Sequence, residues 1–154
     1  MRLYTAVLVL LLSLVLTGCN NGPKEKPRVA DVAGAYHLSP ASRRYLKENK
    51  HYASVEGSRI ILRKDGTLSV IRLPDCYVNR FGKSDGKLLS GQGRWEIDST
   101  YSGYGVTLAV GKGGSLDPAL YSGTSITIRH SVPPYALEFL IGDPDEDESI
   151  VYVK

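Results

Sequence analysis

Short stretches in which apolar and polar residues alternate recur along most of this chain, and turn-forming residues separate them. Arg94–Asp98 places Trp95 and Ile97 on one side, and Ser125–His130 alternates in the same way. A period of two is the spacing of side chains on one face of a β-strand. The pattern therefore predicts strands that each bury one face.

The clearest turn signal is Lys64-Asp65-Gly66. Arg59–Arg63 and Thr67–Leu73 flank it, and both are rich in apolar residues. Asp-Gly between two such runs favours a tight β-hairpin. These two segments are therefore expected to pair as antiparallel neighbours.

Eight strand-like stretches can be counted: Val32–Leu38, Arg59–Arg63, Thr67–Leu73, Arg94–Asp98, Val106–Val110, Ser125–His130, Ala136–Ile141 and Ser149–Lys154. Their spacing is typical of an antiparallel meander, and closing such a sheet removes its exposed edges. We expect an all-β fold in which the strands form a small barrel, with a β-sandwich as the alternative. The absence of βαβ patterns argues against a doubly wound nucleotide-binding fold.

One short helix is expected directly after the first strand. Ser39 is a favoured N-cap residue, and Pro40 then occupies the first helical position. Ala41–Lys50 continues as a polar helix, with Tyr45 and Leu46 as its contacts with the core.

The N-terminus has the composition of a secretory leader. Arg2 supplies a positive charge, and Ala6–Leu16 is apolar except for Ser13. This run is shorter than the about 20 apolar residues that a membrane-spanning helix needs. Leu16-Thr17-Gly18-Cys19 follows at once and resembles the lipobox of bacterial lipoproteins.

The lipoprotein resemblance implies that residues 1–18 are a cleaved signal peptide and that Cys19 is lipidated. Several acyl chains anchor a protein firmly, whereas one gives marginal binding. In the enterobacterial family an Asp after the cysteine retains the protein in the inner membrane. Asn20 therefore implies the outer membrane, on its periplasmic face. Residues 19–30 are expected to form a flexible tether, and residues 31–154 a single domain.

Charge and cysteine content narrow the function classes. The chain without its leader has 18 basic and 16 acidic side chains and no long basic run. That balance argues against a nucleic-acid partner, which would require a basic face. With Cys19 lipidated, Cys76 has no partner for an internal disulfide and is expected to be a small buried residue, with an intermolecular disulfide or a reactive thiol as the alternative.

Part of the domain is similar to lipocalin-like barrels. Val32–Leu38 resembles their first strand, with Tyr36 where that family carries a tryptophan. A Gly-x-Trp sequence occurs instead at Gly93–Trp95, on the fourth expected strand. The resemblance implies a barrel with a binding cavity, and a structural role for the ring at the barrel end. The helix after the first strand and the lack of one after the last strand depart from that family.

Two sets of residues are candidates for ligand contacts. Inward aromatic side chains could hold a small apolar or amphipathic ligand in the barrel mouth, and the candidates are Tyr36, Tyr77, Trp95 and Phe139. Three acids have the spacing of the first ligands of a calcium loop: Asp143, Asp145 and Asp147. Glu148 and Lys154 stand where that loop needs Gly and Glu, so a solvated acidic turn is favoured over a calcium site.

Catalysis has little support in the sequence. His37, His51 and His130 are scattered and form no known catalytic or metal motif. We therefore expect no enzyme and no cofactor, with an envelope hydrolase as a remote third reading. The first expectation is a non-catalytic binding module for a small apolar ligand. The alternative is a structural or interaction lipoprotein with a filled core that acts on an envelope protein partner.

Overall fold

The computed structural model describes residues 22–77, 84–100, 103–109, 126–141 and 148–154. Eight antiparallel strands close into a barrel in sequence order. The strands are β1 Gly34–Leu38, β2 Arg59–Leu62, β3 Thr67–Pro74, β4 Leu88–Thr100, β5 Gly103–Ala109, β6 Ile126–Arg129, β7 Ala136–Leu140 and β8 Ser149–Val153. The predicted all-β barrel is confirmed, and the closed order of strands excludes the sandwich.

Two α-helices and one 3₁₀ helix accompany the barrel. Helix α1 (Val29–Val32) is a single turn before β1, α2 (Pro40–Asn49) follows β1, and the 3₁₀ helix Asp75–Tyr77 follows β3. Ser39 caps α2, since its Oγ accepts a hydrogen bond of 3.1 Å from the amide of Ser42. The helix predicted after the first strand is thus confirmed.

The Asp-Gly hairpin also forms as expected. Strands β2 and β3 pair antiparallel, with Leu62 opposite Leu68. Gly66 has a φ of +79°, which a residue without Cβ adopts readily, and Asp65 accepts a hydrogen bond of 2.9 Å from the amide of Thr67. Turn chemistry therefore sets the register of this pair.

Consecutive strands run in opposite directions, so their connections alternate between the two ends of the barrel. We define the lower end as residues 22–33, 63–66 and 130–135, which precede β1 or join β2 to β3 and β6 to β7. The upper end comprises residues 39–58, 75–77 and 84–87, together with Glu148. It therefore carries α2 and the 3₁₀ helix.

Inward side chains from all eight strands pack into one buried core in the described part of the chain. The rings of Phe139 and Tyr152 pack with centroids 5.4 Å apart. An eight-stranded barrel is just wide enough for side chains to fill. The largest fully buried side chains are Tyr36, Tyr152, Phe139, Leu46, Ile60, Leu62, Leu68, Leu73, Ile126, Ile128, Leu137 and Ile141.

Strand β4 is longer than its alternating stretch, because it already begins at Leu88. Its first half, Leu88–Gly93, contains two glycines and two polar residues, which have low strand propensity. Pairing with β3 supplies the order that local sequence lacks: Leu73 lies opposite Leu89, and Val70 opposite Gly91.

A bulge interrupts the β3–β4 pairing between Val70 and Leu73. Arg72 lies in it with a φ of +52°, a costly conformation for a residue with a side chain. Its amide donates to the Oγ of Ser90 at 2.9 Å, and its Nε donates to the carbonyl of Glu56 at 2.9 Å. The bulge thus directs Arg72 to the segment between α2 and β2.

The segment before β1 packs against the barrel. Pro23 and Pro27 are buried, and Val32 of α1 is completely buried. Lys154 donates a hydrogen bond to the carbonyl of Asp31, which joins this segment to the end of β8. Packing therefore begins before the expected domain boundary at Asp31, because prolines that suggest a linker also offer apolar surface.

Candidate functional site

The structure describes three of the four candidate ligand residues, and all three are buried. Tyr36 and Phe139 are completely enclosed, and Trp95 is 5% exposed. Tyr77 ends the 3₁₀ helix, and its side chain lies outside the described residues. Tyr36, Trp95 and Phe139 are thus brought together, but as parts of one packed core.

The polar atoms of these aromatic residues already have protein partners. The Tyr36 hydroxyl donates to the carbonyl of Val32 at 2.5 Å, and Trp95 Nε1 donates to the carbonyl of Arg63 at 2.8 Å. Burial raises the pKa of Tyr36, so its phenol stays protonated as a donor. Both acceptors are backbone carbonyls of the lower end, and the two hydrogen bonds hold these rings in place in the barrel wall.

Polar groups converge at the upper end around Asp75. The Tyr52 hydroxyl donates to Asp75 Oδ1 and accepts from the amide of Cys76 at 3.0 Å. Ser84 Oγ lies 2.6 Å from the Tyr52 oxygen and 2.7 Å from Asp75 Oδ1, and it donates its one proton to either. We call Tyr52, Asp75 and Ser84 the Asp75 network.

Backbone groups complete the Asp75 network. The amide of Asp85 donates to Asp75 Oδ2 at 3.1 Å, and the amide of Gly86 donates to Ser84 Oγ at 2.9 Å. The amide of Asp75 donates in turn to the carbonyl of Lys87 at 3.1 Å. The network therefore fixes the segment after α2, the 3₁₀ helix and the start of β4 to one another.

The electrostatics of this cluster favour a structural role. Burial alone would raise the pKa of Asp75, but hydrogen bonds from Tyr52, Ser84 and backbone amides outweigh it and lower that pKa. Burial, and then the bond to Asp75, raise the pKa of Tyr52. Burial raises the pKa of the Cys76 thiol to about 11, so Cys76 stays protonated and is a poor nucleophile. The prediction that Cys76 is buried is confirmed.

Two further pairs strengthen the upper end. Ser58 Oγ and the Tyr152 hydroxyl share a buried hydrogen bond of 2.7 Å. Lys50 Nζ lies 2.8 Å from a carboxylate oxygen of Glu148 and 5.9 Å from the centre of the Tyr45 ring. The hydrogen bond to Glu148 raises the pKa of Lys50, which favours its charged form. These contacts tie α2 and the segment after it to β8.

A shallow groove of about 340 Å³ runs along the exposed side of α2. Lys47 forms an ion pair with Glu56, and that hydrogen bond lowers the pKa of Glu56 to about 2. Arg43 and Arg44 make no ion pair with any residue of the described segments. The lining residues are Pro40, Arg43, Arg44, Lys47, Glu48 and Glu56.

Several predicted sites lie outside the described residues. Cys19 precedes them, and Asp143, Asp145 and Asp147 fall between residues 141 and 148. Within the described segments, no group of three His, Cys, Asp or Glu residues is arranged to hold a metal ion. No helix in those segments is long and apolar enough to cross a membrane.

None of the three histidines shares a side-chain hydrogen bond with the Asp75 network in the described segments. His130 Nδ1 lies 3.0 Å from the carbonyl oxygen of Pro134 at the lower end. His37 and His51 are exposed. In the part of the chain that the structure describes, no histidine shares a hydrogen bond with a serine or aspartate side chain.

Comparison with protein-family models, with curated proteins and with solved structures finds no match for this chain. The function of this chain is therefore inferred from its own residues.

The sequence did not indicate the Asp75 network. Ser84-Asp85-Gly86 has the composition of a turn, which was the only local signal near it. Tyr52 is separated from Asp75 by 23 residues, so their contact depends on the barrel.

Proposed function

We propose that this chain is a lipid-anchored envelope protein whose filled barrel serves as a rigid scaffold, and that it binds an envelope protein partner through its upper end. The packing of inward side chains from all eight strands into one buried core is the observation that supports this proposal. Lipidation at Cys19 would supply the anchor. The apolar leader and the lipobox-like sequence Leu16–Cys19 support it. Outer-membrane location follows from Asn20 by the same resemblance.

A ligand inside the barrel has less support. Sites for small apolar ligands are cavities of about 300–1,000 Å³. Such a ligand would have to displace buried side chains, and Tyr36 and Trp95 are each fixed by a hydrogen bond to backbone. Interiors packed with side chains resist such rearrangement. The interaction reading is therefore the better supported of the two.

The groove on α2 offers the chemistry for a protein contact. Arg43 and Arg44 present positive charge without an internal partner in the described segments, and arginine forms well-directed bonds with carboxylates. Leu46 on the opposite side of α2 is completely buried, which holds the helix in place. An acidic segment of a partner protein suits this surface.

Photo-crosslinking in intact membranes tests the proposal. A photoreactive residue at Ala41, on the exposed side of α2, should give one reproducible adduct, whereas the same residue at Gln92 on β4 should not. The double change Arg43→Glu and Arg44→Glu should reduce the adduct about tenfold or more, as expected for loss of two charged contacts.

The matched control reverses two other exposed arginines. Arg59→Glu with Arg94→Glu changes the net charge equally but lies on the barrel wall, so the adduct should persist. Equal loss in both double variants would mean a general charge effect. An adduct insensitive to Arg43 and Arg44 would remove the α2 groove from the proposal.

A further inference from the structure

We propose that the lower end of the barrel lies against an anionic lipid bilayer, so that α2 and the upper end face away from the membrane. This rests on the proposed lipid anchor and adds the surface that meets the membrane and its orientation. Three observations carry it: where the anchoring segment packs, how short the remaining chain is, and what the lower end exposes.

The segment that follows the anchor is part of the lower end. Pro23 and Pro27 are buried there. The carbonyl oxygen of Pro23 lies 3.5 Å from where a Cβ on Gly103 would stand, beside the start of β5. Lys154 donates to the carbonyl of Asp31 and lies 5.4 Å from the centre of the Tyr36 ring. The chain therefore leaves the domain at the lower end and is held there.

The chain between the anchor and this packed segment is short. Cys19 precedes Pro23 by four residues, which span at most about 14 Å when extended. A tether that reached Ala30 would span about 40 Å and leave orientation free. Strand β1, with its five residues, already separates the two ends by about 17 Å. The anchor thus brings the lower end to the bilayer and keeps the upper end away.

The exposed chemistry of the lower end matches a lipid surface. A groove of about 420 Å³ is lined by Pro23–Arg28, Asp31, Ser131 and Tyr135. Val29 is 46% exposed and Val132 is 66% exposed, and they are two of the three large exposed hydrophobic residues in the described segments. Apolar side chains among basic ones are typical of surfaces that enter the headgroup region.

The charges at this end favour anionic headgroups. The cations of the lower end are Lys24, Lys26, Arg28, Arg63 and Lys64, and its acids are Glu25, Asp31 and Asp65. Arg28 forms an ion pair with Asp31 at 2.8 Å, and Asp65 accepts from Thr67. Basic groups held within a Debye length of a negative membrane surface are attracted to it.

Fluorescence quenching in vesicles tests the orientation. Full-length lipidated protein is reconstituted into vesicles of phosphatidylcholine and phosphatidylglycerol, with an environment-sensitive thiol dye on Val132→Cys or on Ala53→Cys. Ala53 is exposed at the upper end. Cys76 is buried and protonated near neutral pH, and it should not take up the dye. Nitroxide-labelled lipid should quench the dye at position 132 severalfold more than at position 53.

Charge reversal provides the matched comparison. Lys24→Glu with Lys26→Glu should lower quenching at position 132, and replacing phosphatidylglycerol by phosphatidylcholine should have the same effect. Arg43→Glu with Arg44→Glu, at the upper end, should leave it unchanged. Equal quenching at positions 132 and 53, or stronger quenching at 53, overturns the proposed orientation.

Failure of the anchor gives a different result. Wild-type protein should float with the vesicles in high salt, and Cys19→Ser should not. If wild-type protein does not float, or if dye reacts with Cys19, the proposed anchor is wrong. If it floats and positions 132 and 53 respond alike, the anchor stands and the orientation is wrong.

Discussion

The Asp75 network at the upper end and the buried tyrosine and tryptophan contacts at the lower end use different kinds of hydrogen-bond acceptor. At the upper end, a carboxylate accepts hydrogen bonds from Tyr52 and Ser84 and from the amide of Asp85. At the lower end, backbone carbonyls accept them from Tyr36, Trp95 and Lys154. A carboxylate titrates and a carbonyl does not. The Asp75 network should therefore lose stability in acid, whereas the hydrogen bonds from Tyr36 and Trp95 to backbone carbonyls should be indifferent to it.

The largest expected effect comes from removing the charge at the upper end. Asp75→Asn replaces the acceptor of two hydroxyls and one amide by a weaker one, and it also introduces a donor among donors. We expect a loss of about 2 kcal/mol in the free energy of unfolding at pH 7, as for a hydrogen-bonded charged group. Urea denaturation of wild type and variant measures it.

The pH dependence of that loss tests the comparison directly. The pKa of Asp75 is lowered in the folded protein, against about 3.9 for an unfolded aspartate. Its contribution is therefore complete above about pH 4 and decreases as the pH falls through the folded pKa. The stability difference between wild type and Asp75→Asn should shrink on acidification. A difference that stays constant from pH 7 to pH 3 would contradict the role of the charge.

A control variant shows whether the loss of stability is specific to Asp75. Asp98→Asn removes a carboxylate from an exposed position on β4. Exposed substitutions usually change stability by less than about 0.5 kcal/mol. If Asp98→Asn matched Asp75→Asn, general charge rather than the network would account for the loss.

A smaller effect is expected from the corresponding change at the lower end. Tyr36→Phe removes the hydroxyl that donates to the carbonyl of Val32. Loss of one neutral hydrogen bond costs about 1 kcal/mol, and the carbonyl of a buried residue is left without that donor. Because burial raises the pKa of Tyr36, this loss should be the same at pH 4 and pH 8. Urea denaturation at both pH values measures it.

Hydrogen exchange locates the consequence of Tyr36→Phe. Amides of residues 29–33 should exchange faster, since α1 loses a contact with the barrel, while those of β2 and β3 should be unchanged. Tyr104→Phe, which alters a partly buried tyrosine on β5, is the matched control. Uniform acceleration throughout the barrel would mean that the hydroxyl supports the whole fold and not the lower end alone.

The strands were largely predictable, and the contacts between their ends were not. Trp95 and Ile97 alternate as a half-buried strand requires, and Asp65-Gly66 has the residues of its turn. The first half of β4 could not be predicted, because pairing with β3 orders its glycines. Tyr52 and Asp75 meet only through the closed barrel. The burial of Tyr36, Trp95 and Phe139 is compatible with the alternation that suggested them as ligand residues, since inward direction alone does not distinguish a cavity from a core.

The smallest expected effects on stability come from replacing two glycines by alanine. At Gly34 a new side chain would meet another side chain, whereas at Gly57 the backbone conformation itself requires glycine. A Cβ on Gly34 would lie 2.8 Å from Lys154 Cε, which is flexible enough to move, whereas Gly57 has a φ of +75°. Gly57→Ala should therefore cost about 1 kcal/mol through backbone strain. Gly34→Ala should change stability by less than about 0.5 kcal/mol, because reduced freedom of the unfolded chain offsets the displaced Lys154.

A double variant checks that cancellation. Lys154→Ala removes the side chain that the new Cβ would meet, so adding Gly34→Ala to it should stabilise the protein by about 0.5 kcal/mol. Adding Lys154→Ala to Gly57→Ala should leave the destabilisation by Gly57→Ala unchanged, since no neighbouring side chain causes the backbone strain at position 57. If Gly34→Ala gives no gain when Lys154 is alanine, then contact with Lys154 is not what opposes a side chain at position 34.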